Sequence, residues 1–461
     1  MRDYRQLSLW HDLPGAGSLE QRPRLEGLRS ADVVIVGAGY TGLWSAYYLS
    51  KLEPQLDIVV VEAEIAGFGA SGRNGGWASG ELAVNLARAE ALHGRQPLTR
   101  QYREVFSSID EIGRVCREEG IEADFEKGGT VTFASNPAQV SRLRSRLELE
   151  ASWGFGEDDY RWLDANETAR IARSESALGS MYTPHCAALH PFKLARGLAA
   201  AVERSGVTIF EGSPVEFIGA GQVRTRNGEV RAGTVLQCTE AFTAGFPGDG
   251  RRRVIPVFSL MIATEPLSPR AWEAIGLDRR PTFNDARHLV VYGQRTADGR
   301  FAFGGRGAPY HFGSAMRSEF DRDERVHTAI HQVLAGLFPQ IEGAAVTHAW
   351  GGAVAVPRDW TAAVVFDRST RIGYAGGYVG AGVSASNLAG RTLADLVLER
   401  DTDLVSLPWV AHRNRKWEPE PLRYVGVNVG RVLAPMADRV EARSGRPSRV
   451  LGGMLRLLTG H

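Results

Sequence analysis

The chain has 461 residues, 43% hydrophobic and 23% charged, with a formal net charge of +1. These values fit a folded protein with a large core and about two domains, and near-neutrality excludes a strongly basic nucleic-acid binder. No apolar run approaches the roughly eighteen residues of a membrane-spanning helix, so no integral membrane segment is expected.

Cys116, Cys186 and Cys238 are odd in number and lack metal-ligand spacing, so neither a disulfide framework nor a metal site is expected. A reducing, cytoplasmic location is the expectation. It agrees with an opening "MRDYRQLSLWHDLPGAG" that has no apolar signal core. Glycine is abundant at 53 residues and clustered, marking loops with special backbone needs.

In chain order, "ADVVIVGAGYTGLWSAYYLSK" reads as a buried strand, a tight turn and a helix, and "LDIVVVEAE" as a second strand, giving a βαβ unit. From about residue 98, Tyr102, Val105, Phe106, Ile109, Ile112 and Val115 recur at helical spacing. "GGTVTFAS" then reads as a strand and "PAQVSRLRSRLELEASWG" as a helix opened by proline. "HPFKLARGLAAAVERSG" is a helix ending at Gly206, and "VTIFEGSPV" and "AGTVLQCTEAF" are strands returning to the first unit. "VFSLMIATEPL", "HLVVYGQ" and "RFAFGGRG" suggest an antiparallel sheet. "RIGYAGGYVGAGVSASNLAGRTLADLVLER" repeats strand, glycine turn and helix. Beyond residue 400, Pro408, Pro419, Pro421, Pro435 and Pro447 predict irregular chain.

The fold class is therefore α/β. A Rossmann-type dinucleotide-binding domain takes residues 30–96, 191–252 and 346–400. It is interleaved with an α+β domain, mostly antiparallel sheet, of residues 97–190 and 253–345. Residues 401–461 form a C-terminal extension.

Gly37-Ala38-Gly39-Tyr40-Thr41-Gly42 is a G-x-G-x-x-G between a strand and a helix. Gly37 permits the turn, Gly39 lets backbone approach a pyrophosphate, and Gly42 lets helix pack on strand. The helix N-terminus offers free N–H groups and a positive dipole end to phosphates. Glu62, next to Ala63 at the end of the second strand, has the spacing of an acid that accepts ribose hydroxyls. Soon afterwards comes "GFGASGRNGGW", residues 67–77. Its repeated glycines expose amides that can form an anion nest. Gly69, Ala70, Ser71, Arg73, Asn74, Gly75 and Gly76 are candidate cofactor contacts, with Ser71 and Arg73 supplying a hydroxyl and a forked charge for a phosphate. A simple nicotinamide enzyme would run on into further βα units, so the second loop points to FAD. A nicotinamide-only Rossmann enzyme and a plain surface loop are the competing readings.

The pairing of "VVIVGAGYTGL…VVVEA" with "GFGASGRNGG" resembles the D-amino-acid oxidase and glycine oxidase superfamily of FAD-dependent oxidoreductases, and within it the gamma-glutamylputrescine oxidase branch. The likeness covers roughly residues 8–400 and takes in "SLWHDLPG", "TVLQCTEAF", "RTADGRFAFGGR", "WGGAVAVPRDW" and "GGYVGAGVSASNLAGRTLADL". It implies that Val215 bonds the adenine edge through its backbone and that Cys238 and Thr239 lie near the diphosphate. Glu240 stands where relatives tend to carry asparagine, so its carboxylate is expected to turn away from the phosphates. Gly377, Gly380, Gly382 and Val383 would bring a helix N-terminus to the flavin, whose reduced form is negatively charged. Residues 67–77 contain no histidine and no cysteine follows Cys238, so non-covalent FAD is expected.

The resemblance also implies the reaction. The C–N bond of a primary or secondary amine or amino acid is oxidised by hydride transfer to flavin N5. The resulting imine hydrolyses to a carbonyl product, and O2 reoxidises the flavin, giving hydrogen peroxide. The alternatives are a dehydrogenase passing electrons to a quinone or other carrier, and a non-catalytic flavoprotein. Trp77, Tyr292, Arg295, Arg306, Trp350 and Tyr378 are candidate substrate contacts, and each has core packing or a solvated strand position as its plainer explanation. His311 and His288 are weak candidates for a catalytic acid or base. Several oxidases of this superfamily place a lysine over the flavin, yet no lysine lies between Lys193 and Lys416, which leaves the acceptor open. The expected partner is a small-molecule amine, and the oligomeric state is open. The extension carries a net charge of +4, and "RVLGGMLRLLTGH" reads as a short amphipathic helix. It would pack on the body, on a partner subunit or on a membrane surface.

Overall fold

A computed structural model describes residues 2–246, 248–307 and 309–459. Strand Gly27–Val36 ends in four fully buried apolar residues, Val33 to Val36, which suits a parallel strand covered on both faces. It pairs in parallel with Ile58–Val61 on one side and Gly228–Gln237 on the other. Thr208–Phe210 and Ile372–Gly376 extend the parallel array, and Ala363–Asp367 closes one edge antiparallel. Strands Val215–Gly219 and Gln222–Thr225 hang from Gly228–Gln237 as an antiparallel meander. Helices Tyr40–Leu52 and Gly382–Val397 pack tightly together, because Gly390 carries no side chain where a Cβ would lie 2.6 Å from that of Trp44. Trp44, Leu49, Leu388 and Leu393 are all fully buried in the core they share.

The second sheet runs in the order Val346–Pro357, Val254–Thr264, Phe301–Arg306, Val291–Arg295, Thr282–Asp285, Thr130–Ala134, Gly179–Thr183, Arg161–Asp164. Its pairings are antiparallel except that between Thr282–Asp285 and Thr130–Ala134. One face holds a cluster of phenylalanines, with Phe283 stacked on Phe303 and Phe301 on Phe338. The expected fold class, a parallel dinucleotide-type sheet interleaved with a mostly antiparallel one, is what the chain forms.

Three details differ from the sequence reading. Val346–Pro357 was assigned to the dinucleotide domain, but it pairs along the whole of Val254–Thr264 and so is the edge strand of the second sheet. Helix Arg95–Glu118 was assigned to the inserted domain, but its apolar face, including Leu98, Val105, Ile109 and Ile112, joins the core of Trp44 and Tyr48. Residues 401–421 are largely irregular, as expected, but beyond them Leu422–Ser444 and Arg449–Thr459 are helices. Pro419 and Pro421 precede the first of these and Pro447 follows its left-handed cap at Gly445, so only Pro435 lies inside it. Among the described residues, no helix is long and apolar enough to cross a membrane.

Candidate functional site

The first glycine loop is shaped by contacts that exclude side chains. Gly37 has φ +102°, and a Cβ there would meet Cys238 O at 2.6 Å. A Cβ on Gly42 would lie 2.0 Å from Gly37 O and 3.2 Å from Ile35 Cγ2, so helix and strand touch through backbone. Gly39 is the N-cap of Tyr40–Leu52 and no side chain of its own caps the helix. Apart from that of Tyr40, which is held by Ser71 Oγ, the N–H groups of its first turn are therefore available to a phosphate. Glu62 faces this loop. Its Oε2 accepts from Ala38 N at 2.8 Å and its Oε1 from Glu64 N at 3.0 Å. Burial outweighs these two bonds and pushes the carboxyl up to about 7.

The second loop is fastened onto the first. Gly67 N donates to Ala38 O at 3.0 Å, and Tyr40 N donates to Ser71 Oγ at 2.8 Å. Ser71 lies on a one-turn helix, Ala70–Arg73. Asn74 closes that turn: its Nδ2 donates to Ala70 O and Ser71 O, and its Oδ1 accepts from Gly76 N. The side chain of Gln294 reaches in from the second sheet and donates to Gly75 O at 2.7 Å and Leu189 O at 3.2 Å. Trp10, near the N-terminus, donates from Nε1 to Asn74 O at 2.9 Å.

A cavity of about 700 Å³ runs between the two sheets along these loops, within the ordinary range for small-molecule and cofactor sites. Its wall carries Gly37, Gly39, Tyr40, Thr41, Glu62, Ala63 and Val215. Gly69, Ala70, Ser71, Arg73, Asn74 and Gly75 follow from the second loop, and Cys238 and Thr239 from the neighbouring strand end. Gly380, Gly382 and Val383 bring in the start of helix Gly382–Val397, whose first turn also has no side-chain cap. The donor set fits FAD. Two helix N-termini bracket the cavity, an acid stands at the first, and a glycine cradle sits between them that a Cβ on Gly39, 3.0 Å from Ser71 Oγ, would begin to fill.

Not every sequence candidate reaches this wall. Ala38, Gly42 and Gly76 act one layer back. Ala38 orients Glu62, Gly42 allows the helix its close approach, and Gly76 (φ +69°) sits where a Cβ would be 2.1 Å from Gln294 Nε2. Gly377 also lies behind, its N–H donating to Glu240 Oε2 at 2.9 Å, with Tyr378 N donating to Oε1 at 3.4 Å. Glu240 thus directs its carboxylate at the 377–378 amides, and burial pushes it up to about 7. Arg73 lines the cavity, but it donates from Nε to Phe68 O at 2.8 Å and from Nη1 to Asp321 Oδ2 at 2.7 Å and Gly351 O at 3.3 Å. In place of the expected phosphate fork, this arginine braces the second loop against the second sheet.

Of the substrate candidates, Trp77 and Tyr292 meet in the cavity wall, edge to face with ring centroids 6.0 Å apart. Tyr292 also shares a 2.8 Å hydrogen bond with Ser259 Oγ. Tyr378 lines the wall on the cofactor side, its hydroxyl 3.0 Å from Thr41 Oγ1. Trp350 is 1% exposed and donates from Nε1 to Arg73 O, so it is packing beneath the loop rather than a pocket residue. Arg295 lies over the Trp272 ring and pairs with Asp278, outside the cavity wall. Arg306 ends its strand, and its side chain lies outside the described residues. Neither histidine faces the cavity. His311 stacks on Phe320 at 3.3 Å between centroids, and His288 Nε2 is held 2.9 Å from Glu441 and 2.8 Å from Arg142.

Sequence reasoning missed an ion pair in the cavity wall, Arg146 Nη2 to Glu81 Oε1 at 2.6 Å. Glu81 lies four residues beyond Trp77, a proximity that could have flagged it. Arg146 comes from the exposed-looking helix Pro137–Ser152 and gave no signal. Ser79, Asn284, Val290 and Trp360 also line the cavity.

A parallel sheet with a doubled glycine cradle, roofed by an antiparallel sheet, defines a two-domain dinucleotide-binding protein. The family model for FAD dependent oxidoreductases matches residues 32–396, and the chain belongs to this family. Its relatives include the gamma-glutamylputrescine oxidoreductase of Escherichia coli strain K12, 31% identical over 392 residues, covering 82% of this chain and 87% of that protein. The probable oxidoreductase OrdL of Haemophilus influenzae is 28% identical over 429 residues, covering 91% of this chain and 92% of that protein. Among solved structures, glycine oxidase from Geobacillus kaustophilus superposes with a TM-score of 0.68 at 21% identity, over 84% of this chain and 99% of that one, a likeness of fold.

Proposed function

We propose that the protein binds FAD non-covalently and oxidises the C–N bond of a primary or secondary amine or amino acid to an imine that water hydrolyses to a carbonyl product. The observation that carries this reading is the single cavity that joins the glycine cradle and Glu62 to the aromatic corner of Trp77 and Tyr292. The names of two relatives, a gamma-glutamylputrescine oxidoreductase and a sarcosine oxidase subunit, support the substrate class. FAD held by the glycine cradle and Glu62 would supply the two-electron acceptor, with O2 as the terminal oxidant and hydrogen peroxide as the second product.

The protein's own part is positioning and exclusion of water. Glu62 receives the ribose hydroxyls. The first turns of Tyr40–Leu52 and Gly382–Val397 supply amides to the pyrophosphate and to the flavin. Trp77 and Tyr292 wall the reacting nitrogen away from solvent. The Glu81–Arg146 pair meets the charged end of the substrate remote from that nitrogen. No side chain is assigned as a general base, because loss of hydride from a neutral amine needs the amine desolvated more than it needs a strong base.

The test is direct. The purified protein should show an oxidised-flavin spectrum and release all its FAD on acid precipitation. Anaerobic addition of its substrate, found from a panel of polyamines, amino acids and N-methyl amino acids, should bleach the flavin. A colourless protein without extractable FAD, or flavin left on the precipitated chain, overturns the corresponding part. Among the described residues, the cations of the cavity wall are Arg73 and Arg146 and no lysine contributes. That composition favours a second reading in which a carrier other than O2 accepts the electrons. Substrate-dependent bleaching without peroxide under air would decide for it.

A further inference from the structure

Helix Leu422–Ser444 is docked through one face. Asp438 accepts from His288 N and Leu289 N at 2.7 and 3.0 Å, and Glu441 bonds His288 and Arg142. Farther along, Asn428 Nδ2 donates to Tyr310 O and Arg431 to Gly307 O. Arg423, Ala434, Ala437 and Glu441 are the buried positions of this face. The opposite face is apolar and open. Leu422, Val425, Val429, Val432, Met436 and Val440 are 44–63% exposed. Their spacing of three and four residues places them in one stripe, about 27 Å long at 1.5 Å per residue.

The charges around this stripe have one sign. Arg439, Arg443, Arg446 and Arg449 are exposed. The acids between residues 422 and 459 are Asp438 and Glu441, both engaged with the 288–289 loop and Arg142 on the docked side. Past Gly445 the helix Arg449–Thr459 continues the pattern, with Val450 69% and Met454 48% exposed beside Arg449. A run of outward apolar side chains bordered by arginine, on a helix too polar overall to span a bilayer, is the composition of a segment that lies in a lipid interface.

We infer that the C-terminal helix pair seats the protein on an anionic lipid surface, with the 422–440 stripe entering the headgroup boundary and the arginines contacting the anionic headgroups. A second copy of the chain fits the same stripe less well. Docked stripe to stripe, it would bring further arginines to the rim, because the acids nearest the helix start are already paired, Glu418 with Arg358 and Glu420 with Arg423. The inference is independent of the substrate and of the electron acceptor. The helix is tied to the 286–290 loop, whose Val290 lines the cavity, so the lipid contact and the substrate site share a structural connection.

The experiment is flotation of the full-length holoprotein with large unilamellar vesicles. It should float with vesicles of phosphatidylglycerol and phosphatidylethanolamine and stay behind with pure phosphatidylcholine. Arg439→Gln/Arg443→Gln should weaken the binding about 30-fold, from roughly 1 kcal/mol for each arginine at such a surface. Val429→Glu/Val432→Glu should abolish it while the flavin spectrum and turnover in detergent-free buffer stay unchanged. The inference is overturned if the wild-type protein fails to float with anionic vesicles, or if Val429→Glu/Val432→Glu floats as well as wild type. It is equally overturned if light scattering shows a dimer that these two substitutions dissociate while vesicle binding is absent, which would give the stripe to a second copy.

Discussion

The backbone N–H of Tyr40 donates to Ser71 Oγ at 2.8 Å, so the residue that opens helix Tyr40–Leu52 is held by the second glycine loop. This bond ties up an amide that the helix itself leaves without a partner, and the Ser71 hydroxyl hydrogen remains available to the dinucleotide. Ser71→Ala is expected to weaken FAD binding about 3- to 10-fold, the worth of one or two such bonds, with little change in fold. Fluorescence titration of the FAD-free protein measures it, and an unchanged dissociation constant would refute the role.

Two glycines of the first loop should separate fold from cofactor. A methyl on Gly42 meets rigid backbone at 2.0 Å, so Gly42→Ala should destabilise by about 1–3 kcal/mol or more and lower the soluble yield. A methyl on Gly39 meets only the Ser71 hydroxyl, at 3.0 Å, but occupies the space through which backbone approaches phosphate. Gly39→Ala should keep the thermal transition of the FAD-free protein within a few degrees while FAD affinity falls at least tenfold. Equal thermal losses in both variants would contradict the distinction.

Arg73 and Asp321 form a largely enclosed pair, with side chains 6% and 17% exposed. Arg73→Met leaves the Asp321 carboxylate without its partner and should cost about 3 kcal/mol of stability. Arg73→Met/Asp321→Asn should recover part of that loss and restore FAD binding with it. A double variant that is stable but still fails to bind FAD would return Arg73 to the phosphate.

Glu62 and Glu240 should make the FAD-free protein less stable as pH rises. Burial lifts both carboxyls to about 7 in the folded state, against roughly 4.3 for an unfolded glutamate. Between these values the folded chain holds more protons than the unfolded one, so stability is greatest at the acid end of the window and declines until about pH 7. The expected size is about 3 kcal/mol for each group across the whole window. Glu240→Gln should flatten the dependence in urea unfolding at pH 5 and pH 7.5. Because ribose hydroxyls favour the ionised Glu62, FAD should bind more tightly at the upper end.

The Glu81–Arg146 pair sets a further expectation. Glu81→Gln and Arg146→Gln should each raise KM about tenfold for a substrate charged at its remote end and leave kcat nearly unchanged. An uncharged monoamine should show neither effect. Steady-state kinetics on both substrate types checks this.

The cradle was legible because its chemistry is local. The spacing from Gly42 to Glu62 and the five glycines of residues 67–77 each belong to one turn and its flanking elements. Arg73 was misassigned because its partner, Asp321, is 248 residues away, and a free fork in a glycine loop looks the same in sequence as a braced one. Trp350 failed for the same reason, since its bond to Arg73 O depends on the two sheets meeting. The 346–357 segment was placed in the wrong sheet because a strand shows its alternation but not its neighbour. The C-terminal helices were hidden by prolines, of which only Pro435 lies within a helix.

The interleaving of the two sheets also governs the order of assembly on the ribosome. Strand Ile372–Gly376 and helix Gly382–Val397 complete a core begun by Val33 and Trp44. That core cannot close until more than four-fifths of the chain has been synthesised. The nascent protein therefore carries an open cradle for most of its translation, and cofactor capture is among the last events of its biogenesis.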